Sequence, residues 1–420
     1  MSEGRKAKTS MNTLVVNIGQ LVTYDPGTDR VEKYDHAALE VLEGEVSLLY
    51  SGEDAPFSRD YDRTIDARGR LVTPGLIDAH THPVFARIRS EELAMKTQGL
   101  TYQEISERGG GIRQSVKHLR EISESELTSR VRGRLLRSLA YGTTTLEAKS
   151  GYGLDIDSEM KSLRALAELN DEIPMTIVPT FLGAHVIPEE YLEDREGYIR
   201  LLCEEMIPAI AQEELAVYCD VFCEEGIFSS EEAEIILRAG RAEGLDSRIH
   251  TNEFASIGGV EVATKLEVAS ADHLAVMSEE EIDQVANSTV VPVLLPGTTF
   301  FLGSEQYAPA RALLDRNALV ALATDFNPGS SPTWNLQMIA SLGCIKMHMT
   351  PEEVLQAITI NPAISMDLEE SKGALVPGFD GDFILWNAHR WEEIPSQFGV
   401  NHCYRAFING VPVDADVDVG

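Results

Sequence analysis

The sequence predicts an α/β protein in which eight parallel strands close into a barrel, with a small β domain built from both chain ends. Eight short β-rich runs follow one another between residues 71 and 330, and helix-like segments lie between them. Such alternation is typical of parallel strands joined by helices, and eight units in succession favour a closed (β/α)8, TIM-like barrel. An open, doubly wound sheet is the alternative.

Residues typical of helix N-termini support the prediction of several helices. Ser230 and Ser278 each precede acidic residues, a pattern in which the serine caps the helix and the acidic side chains favour its positive end. The predicted strands occupy residues 71–80, 143–149, 175–181, 219–223, 248–251, 268–274, 290–295 and 320–324. The predicted helices occupy residues 125–140, 158–170, 198–212, 230–243, 257–267, 278–286 and 308–317.

Both ends of the chain have a different pattern. Residues 11–70 and 374–414 contain short alternating apolar stretches, separated by glycine, aspartate and proline. A period of two is typical of antiparallel strands with one buried face. The simplest arrangement packs both ends into one discontinuous β-sandwich. We therefore predict residues 1–70 and 369–420 as its two halves, with the barrel over residues 71–368.

The composition excludes several classes of partner. The chain carries 68 acidic and 35 basic residues, a formal net charge of −33, and such a surface repels nucleic acids and anionic membranes. No apolar run approaches the roughly 20 residues that a membrane span requires. The first six residues lead into no apolar signal segment, and five scattered cysteines argue against a disulfide framework. We expect a cytoplasmic protein with no nucleic-acid and no membrane partner.

A pair of histidines, His80 and His82, ends the first predicted strand. Side chains two residues apart share one face of a strand, and functional residues gather at the carboxyl ends of barrel strands. Such a pair by itself is more typical of surface histidines. However, His250 lies near the end of the fifth predicted strand and Asp325 follows the eighth. Three imidazoles and one carboxylate are ligands that suit Zn²⁺ or Fe²⁺.

A longer pattern surrounds these residues. Residues 74–82, Pro-Gly-Leu-Ile-Asp-Ala-His-Thr-His, resemble the signature of the amidohydrolase superfamily. The resemblance covers most of residues 71–365 and is closest to the members that open an imidazolone ring in histidine degradation. The segments that carry this closer resemblance are residues 80–89, 147–154, 180–185, 220–224 and 324–330. It implies one Zn²⁺, Fe²⁺ or Fe³⁺ ion per subunit, bound by His80, His82, His250 and Asp325.

The resemblance also implies an activity. Water would open the ring amide of 4-imidazolone-5-propanoate, a small-molecule substrate, to give N-formimidoyl-L-glutamate. This chemistry needs an activated water, a stabilised oxyanion and a proton at the leaving nitrogen. We assign His273 to water activation or carbonyl polarisation, and Glu253 to proton transfer and recognition of the ring nitrogen. Asp325 is expected to serve catalysis as well as metal binding.

Substrate contacts are expected from loops at the same end of the barrel. Arg89 can bind the propanoate carboxylate with two parallel hydrogen bonds, and its alternative role is a surface ion pair. By resemblance, Tyr152 and His185 form hydrogen bonds with the substrate. The resemblance adds ring and product contacts from Asn327, Gly329 and Ser330, although Ser330 is also a common turn residue.

Lys149 bears on the number of metal ions. Many members of the superfamily carry a carbamylated lysine on the fourth strand that bridges two metals. Lys149 instead follows the second predicted strand, so we interpret it as a loop-ordering or electrostatic residue and predict one metal. Two alternatives to the ring-opening activity stay open: a cytosine or guanine deaminase, and a non-catalytic barrel scaffold. The resemblance also implies a homodimer.

The acidic surface leads to a testable prediction. We interpret the net charge of −33 as an adaptation to high salt, where the screening length falls to about 3 Å at molar concentration and self-repulsion is removed. We expect the free energy of unfolding, measured by chemical denaturation, to rise from low to molar KCl. Equal stability across that range would contradict the interpretation.

Overall fold

The computed structural model describes residues 11–52, 59–100 and 110–413. The first six residues, for which we predict no signal segment, lie outside these ranges. The strands of the described ranges are β1 (Thr13–Asp25), β2 (Arg30–Leu42), β3 (Glu45–Ser51), β4 (Arg63–Asp66), β5 (Leu71–Pro74), β6 (Leu76–Asp78), β7 (Thr143–Lys149), β8 (Thr176–Ala184), β9 (Tyr218–Cys223), β10 (Asp246–Thr251), β11 (Ser270–His273), β12 (Val291–Leu294), β13 (Ala321–Leu322), β14 (Phe383–Trp386), β15 (Cys403–Ile408) and β16 (Val411–Pro412).

Helices connect most of the strands. Within the described ranges, none of them is long and apolar enough to cross a bilayer. A 3-10 turn (Glu189–Tyr191) and a π turn (Leu202–Met206) accompany them. The α-helices are α1 (Glu91–Thr97), α2 (Ile112–Glu121), α3 (Glu124–Ala140), α4 (Ile156–Glu172), α5 (Arg195–Leu201), α6 (Ile207–Gln212), α7 (Ser230–Ala242), α8 (Gly259–Lys265), α9 (Glu279–Ala286), α10 (Pro296–Phe301), α11 (Ala310–Leu314), α12 (Leu336–Met347), α13 (Pro351–Ala357), α14 (Ile360–Ile364) and α15 (Glu393–Ser396).

Strands β6 to β13 form the barrel, and each pairs with its neighbour in chain order. The segments that follow β6 and β13 close the ring. The backbone N–H of Asp325 donates to the carbonyl of His80 at 3.0 Å, and the N–H of His82 donates to the carbonyl of Phe326 at 2.8 Å. The predicted barrel is confirmed. Its seam, where the first and last strands meet, runs through residues expected to bind metal.

One of the two predicted helix starts is correct. The Ser278 hydroxyl accepts the N–H of Glu281, and the Glu281 carboxylate in turn accepts the N–H of Ser278, which completes a capping box. The prediction for Ser230 is wrong by one residue. Ser229 is the cap, because Glu232 three residues later matches the spacing that a capping box needs.

Both chain ends contribute to a second sheet, as predicted. Its strand order is β16-β15-β14-β5-β1-β2-β3, and β4 pairs with β1. The sheet encloses its own apolar core, which includes Val15, Leu39 and Val72 from the N-terminal part. Phe383 and Phe407 from the C-terminal part stack in this core with ring centroids 4.3 Å apart. Apolar burial therefore joins the two ends of the chain.

The strand predicted over residues 71–80 is in fact two strands. β5 pairs with β1 and β14 in the terminal sheet, whereas β6 pairs with β7 in the barrel. Gly75 lies between them, and its N–H donates to Asp382 of the terminal sheet at 2.9 Å. The apolar run is continuous because both strands are buried, so the sequence pattern does not reveal the change of sheet. The domain limits stay a prediction, and β5 belongs with the terminal sheet.

The passage of the chain at Gly75 from the terminal sheet to the barrel leads to a stability prediction. A Cβ at Gly75 would overlap the side chain of Thr144, whereas a Cβ at Gly133 in α3 would meet no atom within 4 Å. We expect Gly75→Ala to lower the free energy of unfolding by about 1–3 kcal/mol through overpacking. The control Gly133→Ala should raise it by about 0.5–1 kcal/mol, since alanine favours the helix. Chemical denaturation measures both, and equal effects would contradict the steric argument.

Candidate metal centre and active site

The predicted site residues converge at the carboxyl end of the barrel. His80 and His82 follow β6, His250 and His273 lie in β10 and β11, and Asp325 follows β13; all five are buried. Backbone turns direct two of these side chains. His273 has a φ of 78° and Asp325 a φ of 50°, in the left-handed region that non-glycine residues rarely adopt and that is common at functional sites.

Four donor atoms face one another. The Nε2 atoms of His80 and His82 are 3.1 Å apart, and those of His82 and His250 are 3.4 Å apart. The Oδ1 atom of Asp325 lies 3.6 Å from Nε2 of His80 and 3.4 Å from Nε2 of His82. The second oxygen of Asp325 accepts the hydroxyl of Thr298. The predicted ligand set therefore assembles around one point.

Two carboxylates orient the histidine rings. Asp272 Oδ2 lies 2.6 Å from Nδ1 of His80, and Asp220 Oδ2 lies 3.0 Å from Nδ1 of His250. Because a carboxylate accepts the Nδ1–H, each Nε2 is left with a bare lone pair directed at His82. Lone pairs that face one another at this distance repel unless a cation lies between them. The arrangement therefore fits a metal ion, which also agrees with the buried His80–His82–Asp325 cluster.

Asp220 and Asp272 contact the predicted ligands, although no role was predicted for them from the sequence. Both are fully buried in strands. Burial raises the pKa of Asp272 to about 6, so the group still ionises at neutral pH. The signal that could have found them is an acidic side chain inside an apolar strand, since such groups are rarely buried without a partner.

Lys149 lies beneath these carboxylates. It is the last residue of β7 rather than a residue that follows this strand, and the electrostatic interpretation fits its contacts. Its Nζ lies 2.8 Å from Glu147 Oε1, 2.7 Å from Asp220 Oδ2 and 3.8 Å from Asp272 Oδ2. Burial lowers the pKa of Lys149, but the carboxylates outweigh burial, and the net shift is upward. The ammonium is therefore charged and offsets part of the negative charge of these carboxylates.

A cavity of about 110 Å³ opens above the donor atoms. Glu253 lies in its wall, with Oε2 3.7 Å from Nε2 of His273. Burial, with the nearby carboxylates of Asp325 and Glu224, raises the pKa of Glu253 well above its usual range. The predicted residues that line this cavity are His82, Arg89, Tyr152, His185, His250, Glu253, His273, Asp325, Asn327 and Ser330.

A second, larger cavity adjoins the first. Its volume is about 560 Å³, and apolar residues such as Leu93, Phe301 and Met347 dominate its lining. Glu253 and His273 line both cavities. The two groups expected to carry protons therefore lie where the two cavities meet. The first is called the polar cavity below, because most of its titratable lining side chains belong to the predicted site.

Arg89 is buried at the edge of the polar cavity rather than at the surface. Its Nε lies 3.0 Å from Glu92 Oε1, and its Nη1 donates to the Ser115 hydroxyl at 3.1 Å. The guanidinium packs against Gly329, where any Cβ would overlap it. Gly329 thus makes room for Arg89. It is not one of the described residues that line the 110 Å³ cavity.

Asn327 builds the turn that follows Asp325. Its Oδ1 accepts the N–H groups of Gly329 and Ser330 at 2.9 and 2.7 Å. Its Nδ2 donates to the Ser330 hydroxyl at 2.8 Å. These contacts are turn chemistry, the alternative that the sequence left open for Ser330. Both side chains also line the cavity.

Comparison with known proteins shows the family. The sequence profile of the Amidohydrolase family matches residues 71–413. The imidazolonepropionase of Bacillus cytotoxicus is 41% identical over 408 residues, which cover 95% of this chain and 96% of that protein. The imidazolonepropionase of Alkaliphilus oremlandii is 47% identical over 338 residues, 80% of each chain. The chain belongs to the amidohydrolase family, among the imidazolonepropionases. As an amidohydrolase it is metal-dependent.

Solved amidohydrolase structures share the fold. Guanine deaminase from E. coli has a TM-score of 0.71 at 16% identity and covers 97% of this chain and 99% of its own. An adenosine deaminase from Xanthomonas campestris, solved with bound zinc, has a TM-score of 0.70 at 15% identity and covers 96% of this chain and 92% of its own. At these identities the likeness shows the barrel and terminal sheet of an amidohydrolase, and nothing about the substrate.

The stabilising role of the buried Lys149 ammonium can be tested directly. Lys149→Met keeps the length of the side chain but leaves the acidic group without its ammonium. We expect the free energy of unfolding of the metal-free protein to fall by about 3–5 kcal/mol, the range for breaking a buried ion pair. Lys117→Met, at an exposed position of α2, is the control and should change it by less than about 0.5 kcal/mol. Similar small effects for both variants would contradict the role of Lys149.

Proposed function

We propose that this chain hydrolyses 4-imidazolone-5-propanoate to N-formimidoyl-L-glutamate. Water adds to the ring carbonyl carbon, the ring C–N bond breaks, and the leaving nitrogen gains a proton, so that one water is consumed per ring opened. The observation that carries the proposal is the meeting of the His80–His82–Asp325 cluster with Glu253 and His273 in one cavity. The identity to imidazolonepropionases over 95% of the chain supports the same substrate.

The residues proposed to hold the metal are His80, His82, His250 and Asp325. A bound Zn²⁺, Fe²⁺ or Fe³⁺ supplies Lewis acidity, which can lower the pKa of water from 15.7 to about 7. Three imidazoles and a carboxylate accommodate either element.

One metal ion per chain follows from the charge of Lys149. A carbamylated lysine, which bridges two metals in other members of the superfamily, is an anion. At this position it would lie beside Glu147 and Asp220, which are 2.8 and 2.7 Å from Nζ. A third negative charge there is unfavourable in a buried site. Lys149 is therefore proposed to stay an ammonium that keeps Asp220 and Asp272 as acceptors for the histidine Nδ1–H groups.

Proton movement is proposed for Glu253 and His273. Burial lowers the pKa of His273 well below its usual range, so the ring is neutral and can donate its N–H to the ring carbonyl oxygen. The raised pKa of Glu253 suits a group that accepts a proton from the attacking water and delivers it to the leaving nitrogen. Asp325, held by Thr298, keeps a fixed carboxylate oxygen at the reacting end of the cavity.

Arg89 is proposed to bind the propanoate carboxylate. Among the described residues that line the polar cavity, it is the one lysine or arginine. Its guanidinium is held by Glu92 and Ser115, so its direction is fixed before substrate arrives. Tyr152, His185, Asn327 and Ser330 line the same cavity and are proposed as further contacts, with Gly329 supporting Arg89.

The assembly and location of the protein are also proposals. We propose a homodimer in the cytoplasm, on the family resemblance and the composition. A deaminase activity is favoured by no particular contact in the cavity, and the deaminase neighbours are similar in fold alone.

Turnover of the freshly generated imidazolone tests the function. We expect the metal-loaded protein to remove the imidazolone chromophore. Because His273 polarises the carbonyl, His273→Ala should lower kcat by about 10²–10⁴-fold. His118→Ala, in α2 and outside both cavities, is the matched control and should leave kcat unchanged. Absence of turnover by the metal-loaded wild type would refute the proposed function.

Measuring the metal content tests the single-metal assignment separately from the substrate assignment. We expect one equivalent of zinc or iron per chain in active protein, and its removal by a chelator should abolish turnover. Two bound equivalents would overturn the single-metal assignment while leaving the substrate assignment standing.

A further inference from the structure

Glu159 is a buried carboxylate that the proposed mechanism does not use. It lies in the first turns of α4, and its side chain is fully buried. Oε1 accepts the backbone N–H groups of Gly153 and Leu154 at 2.7 and 2.8 Å. The N–H of Gly151 donates to Oε2 at 2.9 Å and to Oε1 at 3.2 Å. One side chain therefore satisfies three backbone donors of the loop formed by residues 150–154.

This loop has a backbone that needs such support. Gly151 has a φ of 106° and Leu154 a φ of 58°, and the left-handed region is disfavoured for leucine. A Cβ at Gly153 would overlap Ser158, so the loop packs directly on the start of α4. Buried N–H groups without acceptors are unfavourable. Thr180 accepts the N–H of Ser150, and Glu159 accepts those of Gly151, Gly153 and Leu154.

The same loop leads to the polar cavity. Tyr152 lies between Gly151 and Gly153, lines the cavity, and has its ring centroid 5.3 Å from that of His185. The carbonyl of Gly151 accepts Nδ1–H of His185 at 2.9 Å. His185 in turn stacks on His82, with ring centroids 5.3 Å apart and planes at 22°. The loop therefore carries Tyr152 and, through the Gly151 carbonyl, orients the ring of His185, which follows β8.

We propose that Glu159 is a positioning residue for substrate binding, because its carboxylate holds residues 150–154 so that Tyr152 and His185 face the cavity. The inference rests on the proposed function, since it takes both side chains as substrate contacts. Contacts that are equally strong in the ground state and the transition state affect KM rather than kcat. Loss of the carboxylate should therefore weaken substrate binding and leave the chemical step nearly intact.

The first experiment measures amide hydrogen exchange of the metal-loaded protein without substrate. In Glu159→Gln the amide NH₂ faces backbone donors, so part of the hydrogen bonding is lost. We expect exchange at Gly151, Gly153 and Leu154 to become at least about tenfold faster. Glu168→Gln, an exposed carboxylate on the same helix, is the matched control and should not change these rates. Unchanged exchange in Glu159→Gln would overturn the inference.

The second experiment measures steady-state kinetics and metal content. We expect Glu159→Gln to raise KM about tenfold, to keep kcat within about threefold, and to retain the wild-type metal content. The double variant Glu159→Gln with Tyr152→Phe should have a KM no higher than the worse single variant, because both changes act through one loop. Independent, multiplying effects would contradict this coupling.

The remaining outcomes are also decisive. A lower thermal midpoint with unchanged KM would mean that Glu159 serves stability alone, and would overturn the inference. If Glu159→Gln does not fold, Glu159→Asp keeps the charge but withdraws the oxygens, and the same rise in KM is expected. If the wild type does not turn over the imidazolone, the proposed function fails. The exchange rates then still decide whether Glu159 holds the loop.

Discussion

The site depends on one buried ionic interaction, that of the Lys149 ammonium with the carboxylates around it. Ligand atoms of Asp220, His250 and Asp272 lie within 4.8 Å of one another, so without a cation the two aspartates would repel each other in a medium of low dielectric constant. Lys149 lets both stay charged, and as acceptors they fix which nitrogen of His80 and His250 carries the proton. The direction of the Nε2 lone pairs of His80 and His250 toward the proposed metal site thus depends on the Lys149 ammonium.

The second constraint is closure of the barrel. His80 accepts the backbone N–H of Asp325, and His82 donates its own to Phe326, so the proposed ligands that follow the first and last strands are fixed by the same bonds that complete the ring. Chain segments more than 240 residues apart must pair before the donor atoms meet. The site is therefore a product of the complete fold, and no local segment preorganises it.

Site residues could be predicted from the sequence where a local pattern specifies their position. The period of two placed His80 and His82 on one face, and the strand ends pointed to His250, His273 and Asp325. Contacts across the barrel were not accessible in this way. Asp272 follows Ala271 in β11, yet it bonds His80, which follows β6, because closure of the barrel brings the two together. Which residues of different strands lie side by side depends on the register of strand pairing, and no local pattern in the sequence specifies that register.

The crossing at Gly75 also affects how this architecture can change during evolution. Five residues separate Pro74, the last residue of β5, from His80, and they pass directly from the terminal sheet to the edge of the barrel that carries the proposed metal site. A lengthened or shifted connection here would move the histidine pair itself, because Gly75 is the one residue between β5 and β6. The position of the terminal sheet and that of the histidine pair are thus coupled, so a shift in the packing of one is transmitted to the other.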